Sequence, residues 1–102
     1  MISEQIYKVV HEKTKLMILT LLATSESKYL TFTEIKKTLD LTSGNLSVQL
    51  KKLQEYELII IKKILHKNKT LSKIYITQKG MDILEEYFTQ MEKLILKFRN
   101  GA

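Results

Sequence analysis

Cysteine and proline are absent from this chain, glycine occurs three times, and the only arginine is Arg99. Without cysteine there is neither a disulfide framework nor a thiolate metal site. His11 and His66, the two histidines, have no acidic partner at ligand spacing, so no metal and no other cofactor is expected. Scarce glycine and missing proline argue against long disordered linkers. No run of about 18 apolar residues occurs, and the opening Met1-Ile2-Ser3-Glu4-Gln5-Ile6 lacks a basic segment followed by an apolar one. The expectation is a soluble, cytoplasmic protein that does not engage a membrane. Catalytic signatures are missing as well. There is no glycine-rich phosphate loop and no nucleophile elbow, and the adjacent Glu85 and Glu86 point in different directions on a helix. No enzymatic activity is expected.

Positive charge is plentiful and unevenly placed. Between Ser43 and Lys79 lie eight lysines against only Glu55 and Glu57, which accounts for the whole net charge of +6. The remainder carries nine basic and nine acidic residues. Charge clustered in this way attracts polyanions and releases their condensed counterions, although a lysine-rich solvated face is the alternative. With 102 residues, 44% of them apolar, the chain is the size of a single domain with one modest core, residues 1–102.

The stretch from Thr42 to Leu58 reads as a helix with two faces. Leu46, Leu50 and Leu53 form a stripe that must be buried. Ser43, Asn45, Ser47, Gln49, Lys51 and Lys52 form the other face, with no acidic residue before Glu55. Solvated helix faces usually mix charge signs. A face that begins neutral and polar and turns basic suits the base edges and phosphates of a nucleic acid.

Upstream, residues from about Ser3 to Ala23 read as helix, with Ile2, Ile6, Val9 and Val10 in one apolar strip and Leu16 to Leu22 in a denser one. The polar His11 to Thr14 between them marks a kink or break. Ser25 to Tyr29 reads as a loop. Thr31-Phe32-Thr33-Glu34 has the pattern of a capping box opening a helix that buries Ile35 and Leu39 and ends at Asp40. Leu41 is the apolar residue of a short turn, and Thr42 or Ser43 caps the next helix, which describes a helix-turn-helix.

Downstream the period changes. Leu58 to Leu65 and Ser72 to Ile76 read as two strands of a hairpin, with His66 to Leu71 as its polar and basic tip. Thr77 caps a last helix. Met81, Leu84, Phe88, Met91, Ile95 and Phe98 repeat there at heptad spacing, and such a seam is expected to dimerise rather than pack wholly within its own chain. Ile83, Tyr87 and Leu94 form a flank. Residues 1–12 and 78–100 are expected to supply the helices of the dimer interface.

The order of these elements is that of a winged helix-turn-helix. Phe32-Thr33-Glu34-Ile35-Lys36-Lys37-Thr38-Leu39 followed by Leu41-Thr42-Ser43-Gly44-Asn45-Leu46-Ser47-Val48-Gln49-Leu50-Lys51-Lys52-Leu53 resembles the core of the MarR/ArsR-like winged-helix transcription regulators, especially the small, single-domain, dimeric ones. Ile76-Thr77-Gln78-Lys79-Gly80 is similar to that family's exit from the wing. The chain departs from the pattern in having Glu57 where the family usually has glycine, a lysine-only wing with Leu71 near its tip, and no cysteine–histidine cluster of the metal-sensing members.

The resemblance implies a mainly α fold with a small β-hairpin wing and a long C-terminal dimerisation helix. It also implies sequence-specific binding of double-stranded DNA by a homodimer. Ser43, Asn45, Ser47, Val48 and Gln49 would then face base edges in the major groove, with Thr42, Lys51 and Lys52 beside them. For Ser47 a packed hydroxyl, and for Gln49 a solvated side chain, are the alternatives. Thr31 and Thr33 at a helix start would hold phosphate, though capping equally explains Thr31. Lys67, Asn68 and Lys69 would reach the minor groove or flanking phosphates, with Lys63 and Lys73 adding to the field. With arginine absent from this region, a bias toward A·T-containing sites follows, although Lys51 or Lys52 can still reach a guanine. The second expectation is a winged-helix protein-interaction module within a larger transcription or assembly complex.

Overall fold

The computed structural model describes residues 3–101. Met1, Ile2 and Ala102 lie outside the described residues, and with them the first member of the expected N-terminal apolar strip. The elements run α1 (Glu4–His11), α2 (Lys13–Thr24), β1 (Tyr29–Thr31), α3 (Phe32–Thr38), α4 (Ser43–Glu55), β2 (Ile59–His66), β3 (Lys69–Ile76) and α5 (Gln78–Arg99). The fold is mainly helical with a small antiparallel sheet and a long last helix.

Polar residues at each boundary explain where the helices start and stop. Ser3, Thr31, Thr42 and Thr77 each accept a bond from the N–H three residues on, at 2.9–3.2 Å. Thr31 is one half of a complete capping box, since its own N–H donates to Glu34 Oε1 at 2.9 Å. The polar segment after α1 does break the helix: Glu12 is extended, and α2 begins at once beyond it.

Two helices end without glycine. Asp40 and Glu57 occupy the left-handed region, at φ 53° and 61°. Around each, paired bonds close the helix end: Asp40 N–H to Lys37 and Leu41 N–H to Lys36, then Glu57 N–H to Gln54 and Leu58 N–H to Leu53. These are Schellman closures, and in the second the buried Leu53 and Leu58 add the accompanying apolar contact. Glu57 therefore does at the end of α4 what a glycine usually does, at the cost of a left-handed side-chain residue.

The sheet has the order β1-β3-β2, all antiparallel. Two features differ from the sequence reading. Tyr29–Thr31, read as the end of a loop and a helix cap, forms a short third strand on β3. The hairpin strands also reach much closer to the tip than expected, leaving only Lys67 and Asn68 as the turn, at φ 50° and 63°. Positive φ at both central residues is the turn geometry whose twist matches the flanking strands, so His66 pairs with Lys69 and the wing is a stiff ladder to its end.

Ile18, Leu19 and Leu22 of α2, Ile35 of α3, the Leu46–Leu50–Leu53 stripe of α4, and Leu58, Ile59 and Ile74 of the wing base meet in one core. The first half of α5 closes it. Here the backbone passes so near that only glycine fits. A Cβ on Gly80 would collide with the Leu58 carbonyl and come within 2.8 Å of Ile76 Cγ1. Thr77 fastens the same junction. Its N–H donates to Leu58 O at 3.0 Å, its hydroxyl donates to Glu57 O at 2.7 Å, and its Oγ1 accepts from Gly80 N–H at 2.9 Å.

The last helix corrects one expectation. Leu84, assigned to the dimer seam, is buried in its own chain's core, and Met81 is half-buried against that core, because α1 and α2 cover the first half of α5. Tyr87 is likewise buried, with Tyr7 packed on its ring and His11 Nδ1 at 2.7 Å from its hydroxyl. From α1, Val9 and Val10 enter the same core. The exposed part of the seam begins at Phe88.

Replacement of Gly80 by alanine should lower stability by about 1–3 kcal/mol through overpacking, read as a reduced urea midpoint with an unchanged slope. The capping box makes a second prediction. Hydrogen bonds from the Thr31 backbone and hydroxyl hold the Glu34 carboxyl below its usual range. Its stabilising effect is thus full above the unfolded-state value and is lost as pH falls through the lowered folded-state value. Glu34→Ala should be less stable than wild type at neutral pH and converge with it in acid, whereas an equal deficit at all pH values would contradict the assignment.

Candidate nucleic-acid interface

Burying Leu46, Leu50 and Leu53 turns the opposite side of α4 to solvent. Ser43, Asn45, Ser47, Lys51 and Lys52 are exposed there, and so is Val48, an apolar residue at 66% exposure. No acidic residue interrupts the face until Glu55, which sits 3.9 Å from Lys52. Thr42 starts the helix as its cap, accepting from Asn45 N–H at 3.1 Å.

Gln49 is held rather than freely solvated. Its Nε2 donates to Asn45 Oδ1 at 3.0 Å, one helical turn back, while its Oε1 is buried without a hydrogen-bond partner. The two amides together form a single coupled unit on the exposed helix face.

Alternation along the wing decides which lysines stand with α4. Ile61, Lys63 and Ser72 lie on the face turned toward that helix and border one groove with Phe32, Ser47, Leu50, Lys51 and Gln54. Lys73 does not. It is paired with Lys62 on the opposite face of the sheet, 4.8 Å from the centroid of Tyr29, while Lys62 lies 5.2 Å from that of Tyr75. Lys63 and Lys73, both expected to add to the field of the wing, therefore do so from opposite faces, because adjacent strand positions of the register point to opposite sides.

At the far end of the wing, His66, Lys67 and Lys69 border a cleft with Thr33 of α3. Asn68 completes the turn beside them. The start of α3 and the wing tip are therefore neighbours, and free first-turn N–H groups are available there to an anion. Thr31 lies at that start too, with its oxygen already accepting the cap bond.

Lys15 is the residue that sequence reasoning missed. It is buried to 5% exposure, bonded to Glu12 Oε1 at 2.9 Å, and borders a pocket with Val48, Lys51, Lys52 and Glu55 of α4. A lysine in a helical segment reads as solvated surface, so nothing in the pattern marked it. Among the described residues no cluster of three or more His, Asp or Glu side chains could hold a metal ion, and no helix is long and apolar enough to cross a membrane.

Comparison with known proteins agrees with this fold. Residues 14–95 match the family model described as a winged helix DNA-binding domain. A transcriptional regulator homologue from Pyrococcus horikoshii OT3 superposes with a TM-score of 0.80 at 24% identity, covering 89% of this chain and 88% of that one. Diamide-treated YodB from B. subtilis gives 0.78 at 18% identity, with 93% and 90% covered. MepR, a transcription regulator of the Staphylococcus aureus multidrug efflux pump MepA, gives 0.71 at 19% identity, covering 88% of this chain and 64% of MepR. The chain thus spans just under two thirds of MepR's length. No curated protein matches by sequence. The chain belongs to the winged helix DNA-binding domain family.

Proposed function

We propose that the protein is a cytoplasmic transcription regulator that binds double-stranded DNA sequence-specifically as a homodimer. The observation that carries this reading is the acid-free face of α4, flanked on one side by Lys63 of the wing. The major groove, about 12 Å wide, admits a helix, and the exposed N-terminal half of α4 is the part that meets base edges. Asn45 and Gln49 carry the amide pairs that complement adenine, Val48 suits a thymine methyl, and Ser43 and Ser47 hydrogen-bond to any base. Thr42, Lys51 and Lys52 neutralise the adjoining backbone.

The wing tip, Lys67, Asn68 and Lys69, enters the minor groove or grips its phosphates, and Thr31 and Thr33 hold a phosphate at the start of α3. Lys73, on the far face of the sheet, contributes only through the general field. No arginine is available for the commonest guanine contact, which biases the site toward A·T pairs. Dimerisation uses the exposed seam of α5, from Phe88 to Phe98, where Phe98 is 85% exposed. Two recognition helices then address half-sites about 10 base pairs apart.

Fluorescence anisotropy with random-sequence duplex DNA across a salt series tests the reading. Neutralising about six phosphates gives a log–log slope near −5, and Lys67→Ala/Lys69→Ala should shrink it by about 2, at roughly 0.9 per phosphate. Absence of binding at low salt would defeat the proposal and turn attention to protein partners of the same face. On a selected operator, Asn45→Ala/Gln49→Ala should lose specific affinity while keeping the non-specific slope. Comparison of single variants tests the face assignment: Lys63→Ala should weaken DNA binding more than Lys73→Ala, and the reverse order would place DNA on the other side of the sheet.

A further inference from the structure

α5 carries its apolar stripe beyond the body of the domain, in a molecule measuring 58 × 25 × 25 Å. Its second half exposes Leu94 at 59%, Ile95 at 46% and Phe98 at 85%, with Phe88 at 37% on the border. We infer that a second copy of this chain covers the stripe in antiparallel alignment, with Phe88 against Phe98 of the partner subunit and Met91 against Ile95 of the partner subunit. This rests on the homodimer proposed above and specifies its direction and register.

Three observations single out that arrangement. The seam positions from Phe88 onward are symmetric about one point. The pair Phe88 and Phe98 and the pair Met91 and Ile95 are both centred on Lys93, so a two-fold axis there matches the exposed Phe88, Ile95 and Phe98 with seam residues of the other copy, Met91 being half-buried against its own core. Antiparallel coiled helices pack their a positions against d positions, which this pairing satisfies. A parallel pair would instead need Leu84 level with Leu84 of the partner subunit, and that side chain is already 95% covered by its own core at 5% exposure.

The flanks agree with the same axis. Leu94 falls beside Leu94 of the partner subunit, which covers a residue otherwise left apolar and exposed. Glu85 falls near Arg99 of the partner subunit, giving the chain's lone arginine an opposite charge. Phe88 also borders an apolar groove with Leu16, Met17, Leu21 and Leu39, and Met17 is 42% exposed. An aromatic ring opposite Phe88 fills that groove, which no described residue of the same chain does. Each domain's apolar groove is then completed by the end of the other copy's arm.

The absence of native cysteine makes the register directly measurable. Phe88→Cys, Phe98→Cys and the double variant would be oxidised in dilute solution and read on a non-reducing gel, with sedimentation velocity on each. Ten residues along one helix separate the two sites by ~15 Å, so they cannot bridge within a chain, since a disulfide needs Cα atoms within about 7 Å. The expected result is a covalent dimer from the double variant and almost none from either single variant, although all three sediment as dimers. Efficient cross-linking of both single variants would overturn the proposal in favour of a parallel pair. A dimeric double variant that fails to cross-link would overturn the register.

Monomeric wild type at high micromolar concentration would instead defeat the homodimer reading itself. Should loss of both phenylalanines dissociate the pair, a charge exchange that keeps them decides the same question. Glu85→Arg and Arg99→Glu should each weaken dimerisation a few-fold, and the double exchange should restore it. Additive weakening in the double variant would overturn the antiparallel contact.

Discussion

The close passage of the Leu58 backbone over the first turn of α5 is the constraint on which the remaining geometry depends. At that point the end of the recognition helix, the base of the wing and the start of the long arm share one set of hydrogen bonds. Glu57 in a left-handed conformation delivers the chain from α4 to Leu58, whose carbonyl accepts from Thr77 N–H. Thr77 returns its hydroxyl proton to Glu57 and receives the N–H of Gly80. Because Gly80 has no side chain, α5 seats directly on this loop. The face of α4, the pitch of the wing and the direction of the arm are consequently set together rather than adjusted one by one.

From that fixed base, the period of two in the strands sorts the wing's charge. Lys63 stands with Ser47 and Lys51, while Lys62 and Lys73 lie over tyrosine rings on the other side. Clustered sequence charge is thus divided in space, and only part of the +6 excess faces the recognition helix. Lysine, a flexible point charge, is suited to phosphate more than to a bidentate base contact. Base discrimination falls to the amides of Asn45 and Gln49, which are already joined to each other by a hydrogen bond. A coupled pair reads as a unit and responds as a unit to the substitution of either member.

Much of this is legible in the sequence. Capping hydroxyls at Thr31, Thr42 and Thr77, the break after His11 and the leucine stripe of α4 are local signals, and each appears where the pattern puts it. What escaped depends on contacts distant in sequence. Tyr29–Thr31 is a strand only because β3 lies beside it. Leu84 looks like seam until α1 and α2 are seen to cover it. Lys15 is ordinary in sequence and buried in space. The hairpin tip differs for another reason: polar lysine and asparagine read as loop, whereas Asn68 and Lys67 accept positive φ and let the ladder run on. Adjacent lysines on a strand carry no label of face until the register is known.

Amide chemical-shift mapping of the ¹⁵N-labelled protein during titration with duplex DNA tests the central claim, that the acid-free face of α4 and the wing tip form one nucleic-acid surface. The account predicts that perturbations concentrate in Thr42–Lys52, at the start of α3 and around Lys67–Lys69, and that α5 beyond Phe88 stays unchanged. Perturbation of the α5 arm or of the outer sheet face around Tyr29 and Tyr75, with α4 silent, would contradict it.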